Sequence, residues 1–165
     1  MSPKRRIVLA GMAGGAVWAV LVVWLGTGPV RRIVPEGPGA MFTGAFLPGL
    51  VYMAMIGRLA AVRFFSDTLI DGGKPAPGSG TEIDLRVLQN TSEQLLLAAL
   101  IWPFADWQLG AGGALVLTLG AAFALTRLAF WIGYHRAPAL RGFGFAGGFY
   151  PTILAALLAL GAAFI

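Results

Sequence analysis

The stretch Arg86-Val-Leu-Gln-Asn90-Thr-Ser-Glu93-Gln94 decides how the chain is read, because it is strongly polar and yet opens a hydrophobic run that continues from Leu95 to Trp102. On a helix of 3.6 residues per turn, Arg86, Asn90 and Glu93 stand at i, i+4 and i+7 and share one face. A carboxylate is thereby carried toward apolar surroundings. A charged side chain at the centre of a membrane helix costs about 2.5–3.5 kcal/mol, so such a residue is paired, turned into a bundle or used.

Working outward, the surroundings are lipid-like. The 165 residues are 58% hydrophobic and 12% charged, with a mean hydropathy of +0.78, far from the averages of a soluble domain. The chain is therefore expected to be an all-α integral membrane protein. Its net charge of +5 does not suggest nucleic acid, because the basic residues are scattered in short groups beside apolar runs and form no stripe. With no cysteine, disulfides, thiolate metal sites and a cysteine nucleophile are excluded. A single histidine, His135, leaves little for a metal cluster, so no metal site is expected.

Lys4, Arg5 and Arg6 precede the run Ile7 to Leu25, which is long enough to span a bilayer. A cleaved signal peptide is the alternative, but the run is longer than a usual signal core and no small-x-small site follows it. Gly26 to Gly39 is dense in proline and glycine and reads as a loop. The next run, Met41 to Phe65, carries Arg58 and Arg63 in its last turns. There an arginine either snorkels to the interface or serves as an anion ligand. Ser66 to Asp84 is a polar connection in which Thr81 or Asp84 is expected to cap the following helix.

That third helix is expected over Ile83 to Phe104 and a fourth over Ala111 to Tyr134, with Arg127 well inside it. Phe145 to Ile165 is the last apolar stretch. Five spans follow, and charge bias orients them. A cytoplasmic N-terminus puts every lysine and arginine on one side except Arg31 and Arg32. The short Ala105 to Gly110 connection makes the third and fourth helices antiparallel, so Arg86, Asn90 and Glu93 lie level with Arg127, Tyr134 and Arg141. The last three recur every seven residues and keep one stripe if the helix persists past Pro138.

Two arrangements remain open from spacing. Glu93 pairs with Arg127 and glues two helices, or the group holds a small zwitterion, with guanidinium groups on its carboxylates and Glu93 on its ammonium. Tyr134, beside Trp131, is either an interfacial belt residue or part of that group. His135 is read as a solvated interface residue.

The two halves of the pattern, Arg86-x-x-x-Asn90-x-x-Glu93 and Arg127-x-x-Phe130-x-x-Gly133-Tyr134 followed by Arg141, together resemble the MAPEG family (membrane-associated proteins in eicosanoid and glutathione metabolism), in its bacterial-type members. The resemblance covers roughly Arg58 to the C-terminus. It implies a four-helix membrane domain over 40–165, preceded by an extra N-terminal transmembrane helix and loop over 1–39. It further implies a multi-pass protein of a bacterial inner membrane, a homotrimer, with glutathione as co-substrate between subunits and a hydrophobic second substrate arriving from lipid. Arg86, Asn90, Glu93 and Tyr134 are the implied glutathione ligands, with Arg127 and Arg63 as further binding residues, and Arg141 is the implied catalytic arginine that stabilises the thiolate. The activity implied is that of a transferase or peroxidase. The alternative is a non-catalytic member in which the same residues form a structural ion-pair network or bind anionic lipid. Phe130 and Gln94 stand where eicosanoid enzymes have tyrosines, so eicosanoid specificity is not implied.

Overall fold

Apolar runs of this length satisfy their backbone within themselves by forming helices, the solution lipid imposes. The computed structural model describes residues 3–165 without the side chains of Pro3, Lys4 and Pro138, so Met1 and the Lys4 side chain of the basic start lie outside the described residues. Those residues form α1 (Pro3–Thr27), α2 (Pro29–Ile33), α3 (Pro38–Phe64), α4 (Asp67–Ile70), α5 (Gly80–Gln108), α6 (Ala114–Arg136) and α7 (Pro138–Ala163), with no strand among them. The protein is an all-α membrane bundle. Four segments, 5–33, 38–64, 114–136 and 139–163, are long and apolar enough to cross a bilayer. α5 is the fifth long helix: its 29 residues reach about 43 Å at 1.5 Å per residue, and its polar face is what lowers its hydropathy.

Neighbouring glycines fix the helix directions. Gly11 of α1 lies against Phe143 of α7, and Gly26 at the other end of α1 lies against Leu115 of α6. α1 thus runs parallel to α7 and antiparallel to α6. Gly44 of α3 and Gly120 of α6 meet backbone to backbone, the close approach that small residues permit between membrane helices. The end of α3, the starts of α5 and α7 and the end of α6 consequently share one end of the bundle, called here the basic end.

At the opposite end the core is built from Trp102, Leu115, Leu119 and Phe123, closed by Val22, Val23, Ala155 and Ala159. Trp102 and Phe123 meet edge to face at 5.8 Å, and the Trp102 indole N–H donates to Thr152 at 3.0 Å. Asp106 is buried and accepts the backbone N–H groups of Gly113 at 2.7 Å, Leu115 at 3.0 Å and Val116 at 3.3 Å. It therefore caps α6 from across the turn, because Gly113 at the N-cap, with φ 97°, has no side chain to do so. The Asp106 carboxylate satisfies three of the helix's orphan donors.

Several boundaries differ from the expected ones, each for a local reason. The supposed loop after Leu25 is helical to Thr27, and Pro29 starts another helical turn, since proline at the first position is compatible with a helix. Ser79, and neither Thr81 nor Asp84, caps α5 by accepting from the Glu82 N–H at 3.2 Å. α5 continues through Pro103 to Gln108, as membrane helices tolerate proline where neighbours cover the freed carbonyl. The expected stripe through Arg127, Tyr134 and Arg141 is broken: Ala137 is extended at φ −149°, ψ 111°, and Arg141 belongs to α7. The residue before a proline avoids the helical region, which makes Ala137 the corner.

Candidate functional site

The basic end is built around Arg127, which is fully buried at 0% exposure. It projects from α6 between α5 and α7, donating through Nη1 to Asn90 Oδ1 at 2.9 Å and through Nη2 to the Gly144 carbonyl at 2.6 Å. Its guanidinium lies 4.5 Å from the centre of the Phe130 ring and 5.3 Å from that of Phe123, within cation–π range. Glycine at 148 makes this possible, because a Cβ there would crowd Arg127 Nη2 and Gln94 Oε1, each at 2.8 Å. The expected alternative pair, Glu93 with Arg127, does not form: Asn90 takes the guanidinium instead.

Glu93 faces outward from α5. It is exposed and accepts from Gln89 Nε2 at 3.2 Å, with no cation on it among the described residues. Arg86 is exposed on the same flank and pairs with Glu82 at 2.8 Å one turn earlier. Backbone donation from Gly78 at 2.6 Å and the Arg86 guanidinium together hold the Glu82 carboxyl below its ordinary range. Arg141 reaches the same end from α7, where its guanidinium lies 5.1 Å from the centre of the Tyr134 ring. The break at Ala137 thus does not separate the two; α7 folds back and brings Arg141 over Tyr134 by another route. Gly133 lets it, since its missing side chain admits the backbone of Arg141 against α6.

Arg63 stands apart, exposed in the last turn of α3. Arg58 is the arginine of α3 that enters the polar cluster, donating through Nε to Asp84 Oδ2 at 2.7 Å. Asp84, 3% exposed, also accepts from Trp131 Nε1 at 2.7 Å and contacts His135 Nε2 at 2.8 Å through Oδ1. An ionised carboxylate only accepts, so Nε2 carries the proton and Nδ1 is the free nitrogen. This network was missed in the sequence, where Asp84 reads as a cap and His135 as a solvated interface residue. The available signal was the face: Asp84, Val87 and Thr91 share the buried side of α5, opposite Arg86 and Glu93, and an acid on a buried side requires donors.

α5 therefore carries three polar assignments by angle alone. Asp84 turns to α3 and α6, Asn90 turns to α6, and Arg86 with Glu93 turns outward. Arg86 and Glu93 on the outward flank of α5 form one exposed set, and Tyr134, packed on Phe130 at 4.9 Å with Arg141 over its ring, forms another. Guanidinium groups, an acid and a phenol are the types that receive a ligand bearing both carboxylates and an ammonium. The family model described as MAPEG family matches residues 40–161, which takes in α3 to α7 and leaves out α1 and α2. No curated protein and no solved structure matches the chain.

Proposed function

The chain belongs to the MAPEG family, and on that premise we propose that it is a membrane-bound glutathione-dependent transferase or peroxidase acting on hydrophobic electrophiles. The observation that carries the reading is Glu93: an exposed acid on a long helix of a membrane bundle, lacking any cation on it among the described residues. Its partner comes from outside the chain. An ammonium of bound glutathione supplies it, with a neighbouring copy in a homotrimer closing the site. The residues present fit the tripeptide: Arg86 offers a guanidinium group to its carboxylates, Glu93 an acceptor to its amine, and Asn90 and Tyr134 neutral hydrogen-bonding groups. Arg63, which stands apart in its own chain, joins the site only as a contribution from a neighbouring copy.

In this reading Arg127 stands behind the site. It touches no ligand; it fixes Asn90 and, through the Gly144 carbonyl, the start of α7 that carries Arg141. Arg141 stabilises the thiolate, because a guanidinium beside a thiol in a partly dry cleft favours the charged sulfur. The thiol proton leaves to water, and the sulfur then either bonds to an electrophilic carbon as that carbon's leaving group departs with its electron pair, or attacks a peroxide oxygen. The latter breaks the O–O bond, releasing an alcohol and leaving a glutathione sulfenic acid that a second glutathione thiol converts to the disulfide and water.

The test is a titration of the full chain in detergent with glutathione, following the ultraviolet band of the thiolate. The wild type develops the band, Arg141→Ala does not, and Arg32→Ala at the far end does. Absence of the band in the wild type, or equal bands in wild type and Arg141→Ala, overturns the catalytic reading.

A further inference from the structure

Beside the proposed glutathione site, on the other flank of α5, the Asp84 network forms the floor of a second feature. A groove of about 580 Å³ is lined by Arg58, Trp131, Ile132, His135 and Arg136 between the ends of α3 and α6. Its chemistry is one-sided. Asp84 is sealed beneath it, with one oxygen accepting from Arg58 and the other engaged by Trp131 and His135, so the groove faces guanidinium groups and not the acid. Among the described residues Arg58 is anchored by Nε alone while its side chain remains 52% exposed, which leaves its two terminal nitrogens available to act as a fixed fork. Arg136 is exposed and has no ion pair among the described residues.

The groove also continues into the apolar zone. Ile132, Leu128 and Leu125 stand at i, i−4 and i−7 on α6 and are 49%, 41% and 61% exposed, so they form an uncovered apolar stripe leading from the arginines toward the middle of the helix. A soluble phosphate would need the arginines and not the stripe. A phospholipid needs both, and basic pockets between membrane helices at an interface suit anionic headgroups.

We propose that this groove binds an anionic phospholipid, its phosphate between Arg58 and Arg136 and an acyl chain along Ile132, Leu128 and Leu125. Trp131 serves as the side wall and, through its bond to Asp84, keeps the floor rigid. The site is separate from the outward face of α5, so occupancy by lipid and binding of glutathione are independently measurable.

Native mass spectrometry of the full chain, released from detergent with equimolar phosphatidylglycerol and phosphatidylcholine of identical chains, reads the site directly. The wild type retains phosphatidylglycerol over phosphatidylcholine by roughly tenfold, and Arg136→Gln, which leaves the Asp84 network in place, reduces that preference several-fold while Lys74→Gln keeps it. A thermal unfolding curve of Arg136→Gln in phosphatidylcholine micelles, superimposable on the wild type, shows that the fold is intact. A second variant, Leu128→Ser with Ile132→Ser, spares every charged group; it lowers retention of both lipids and preserves their ratio. Equal retention of the two lipids by wild type, an unchanged preference in Arg136→Gln, or unchanged retention in the serine variant overturns the proposal. Displacement of phosphatidylglycerol by soluble glycerol phosphate at equal concentration also overturns it, and identifies a site for free phosphate esters.

Discussion

The two ends of the bundle treat buried polar groups in opposite ways. At the far end Asp106 has its oxygens engaged by three backbone N–H groups and Trp102 donates to Thr152, so the polar atoms complete the fold. At the basic end Gln94 has neither amide atom bonded and Arg127 Nε has no partner among the described residues, while Glu93 points out of the bundle. Saturation marks an architectural role. Orphaned polar atoms cost about 1–3 kcal/mol each, so the surroundings of Arg127 are less completely paired than those of Asp106.

The comparison breaks most easily at Asp106. Asp106→Ala leaves three N–H groups at the start of α6 without an acceptor, and an unfolding free energy lower by about 3–5 kcal/mol is expected. Denaturant unfolding in mixed micelles, followed by circular dichroism, measures it. A loss below about 1 kcal/mol would mean that water or lipid headgroups replace the carboxylate, and that the far end is no more finished than the basic one.

Arg127→Met sharpens the contrast. The variant removes a buried charge along with its hydrogen bonds, so the cost of burying the guanidinium is relieved while Asn90 and the Gly144 carbonyl lose a donor. A net destabilisation of about 1–3 kcal/mol follows, smaller than at Asp106. Glutathione binding suffers more than stability does, because Asn90 and the Arg141 segment lose their common anchor. A variant that binds glutathione like wild type would show that Arg127 serves packing alone.

Glu93→Gln has the reverse profile. An exposed residue changes stability by only about 0.5 kcal/mol, yet, if the proposed function holds, loss of the charge assigned there to an ammonium is expected to weaken glutathione binding by roughly tenfold or more. Calorimetric titration and an unfolding curve on the same preparation separate the two. Unchanged affinity would remove the observation on which the functional proposal stands.

The helical membrane class was legible in the sequence, because hydropathy over long runs is a property of the chain itself. So was the common level of Arg127 and the polar start of α5, because two antiparallel helices joined by a short turn have little freedom in register. The partner was not, since Glu93 was expected on Arg127 and Asn90 is found there. What was not legible depends on angle and on breaks. Asp84 sits only two residues from Arg86, yet about 200° around the helix, and whether that side faces α3 is decided by packing. Arg141 was expected on the stripe of Tyr134 along one helix, and it arrives there from α7 after the Ala137 corner. Pro138 signalled the corner; it did not signal that the chain folds back at once.

The smallest effect expected separates the outer flank of α5 from its buried one. Glu82 stands in the first turn of α5, ahead of the apolar run, where the Gly78 N–H and Arg86 depress its carboxyl pKa. A carboxyl whose folded pKa lies below its unfolded value adds stability above the unfolded pKa, and that stability is lost as pH falls through the folded one. Acidification therefore frays the start of α5 first, releasing Gly78 and freeing Arg86, while Asn90 and Arg127 deeper in the bundle keep their bond. Hydrogen exchange at pH 3 against pH 7, corrected for intrinsic rates, is expected to show reduced protection around Gly78 to Ile83 and none of that change around Asn90. Glu82→Gln abolishes the difference between the two pH values. If the wild type frays equally along α5 as far as Asn90, the first turn and the buried cluster are one cooperative unit, and Arg86 is set in place by the core and not by its neighbour Glu82.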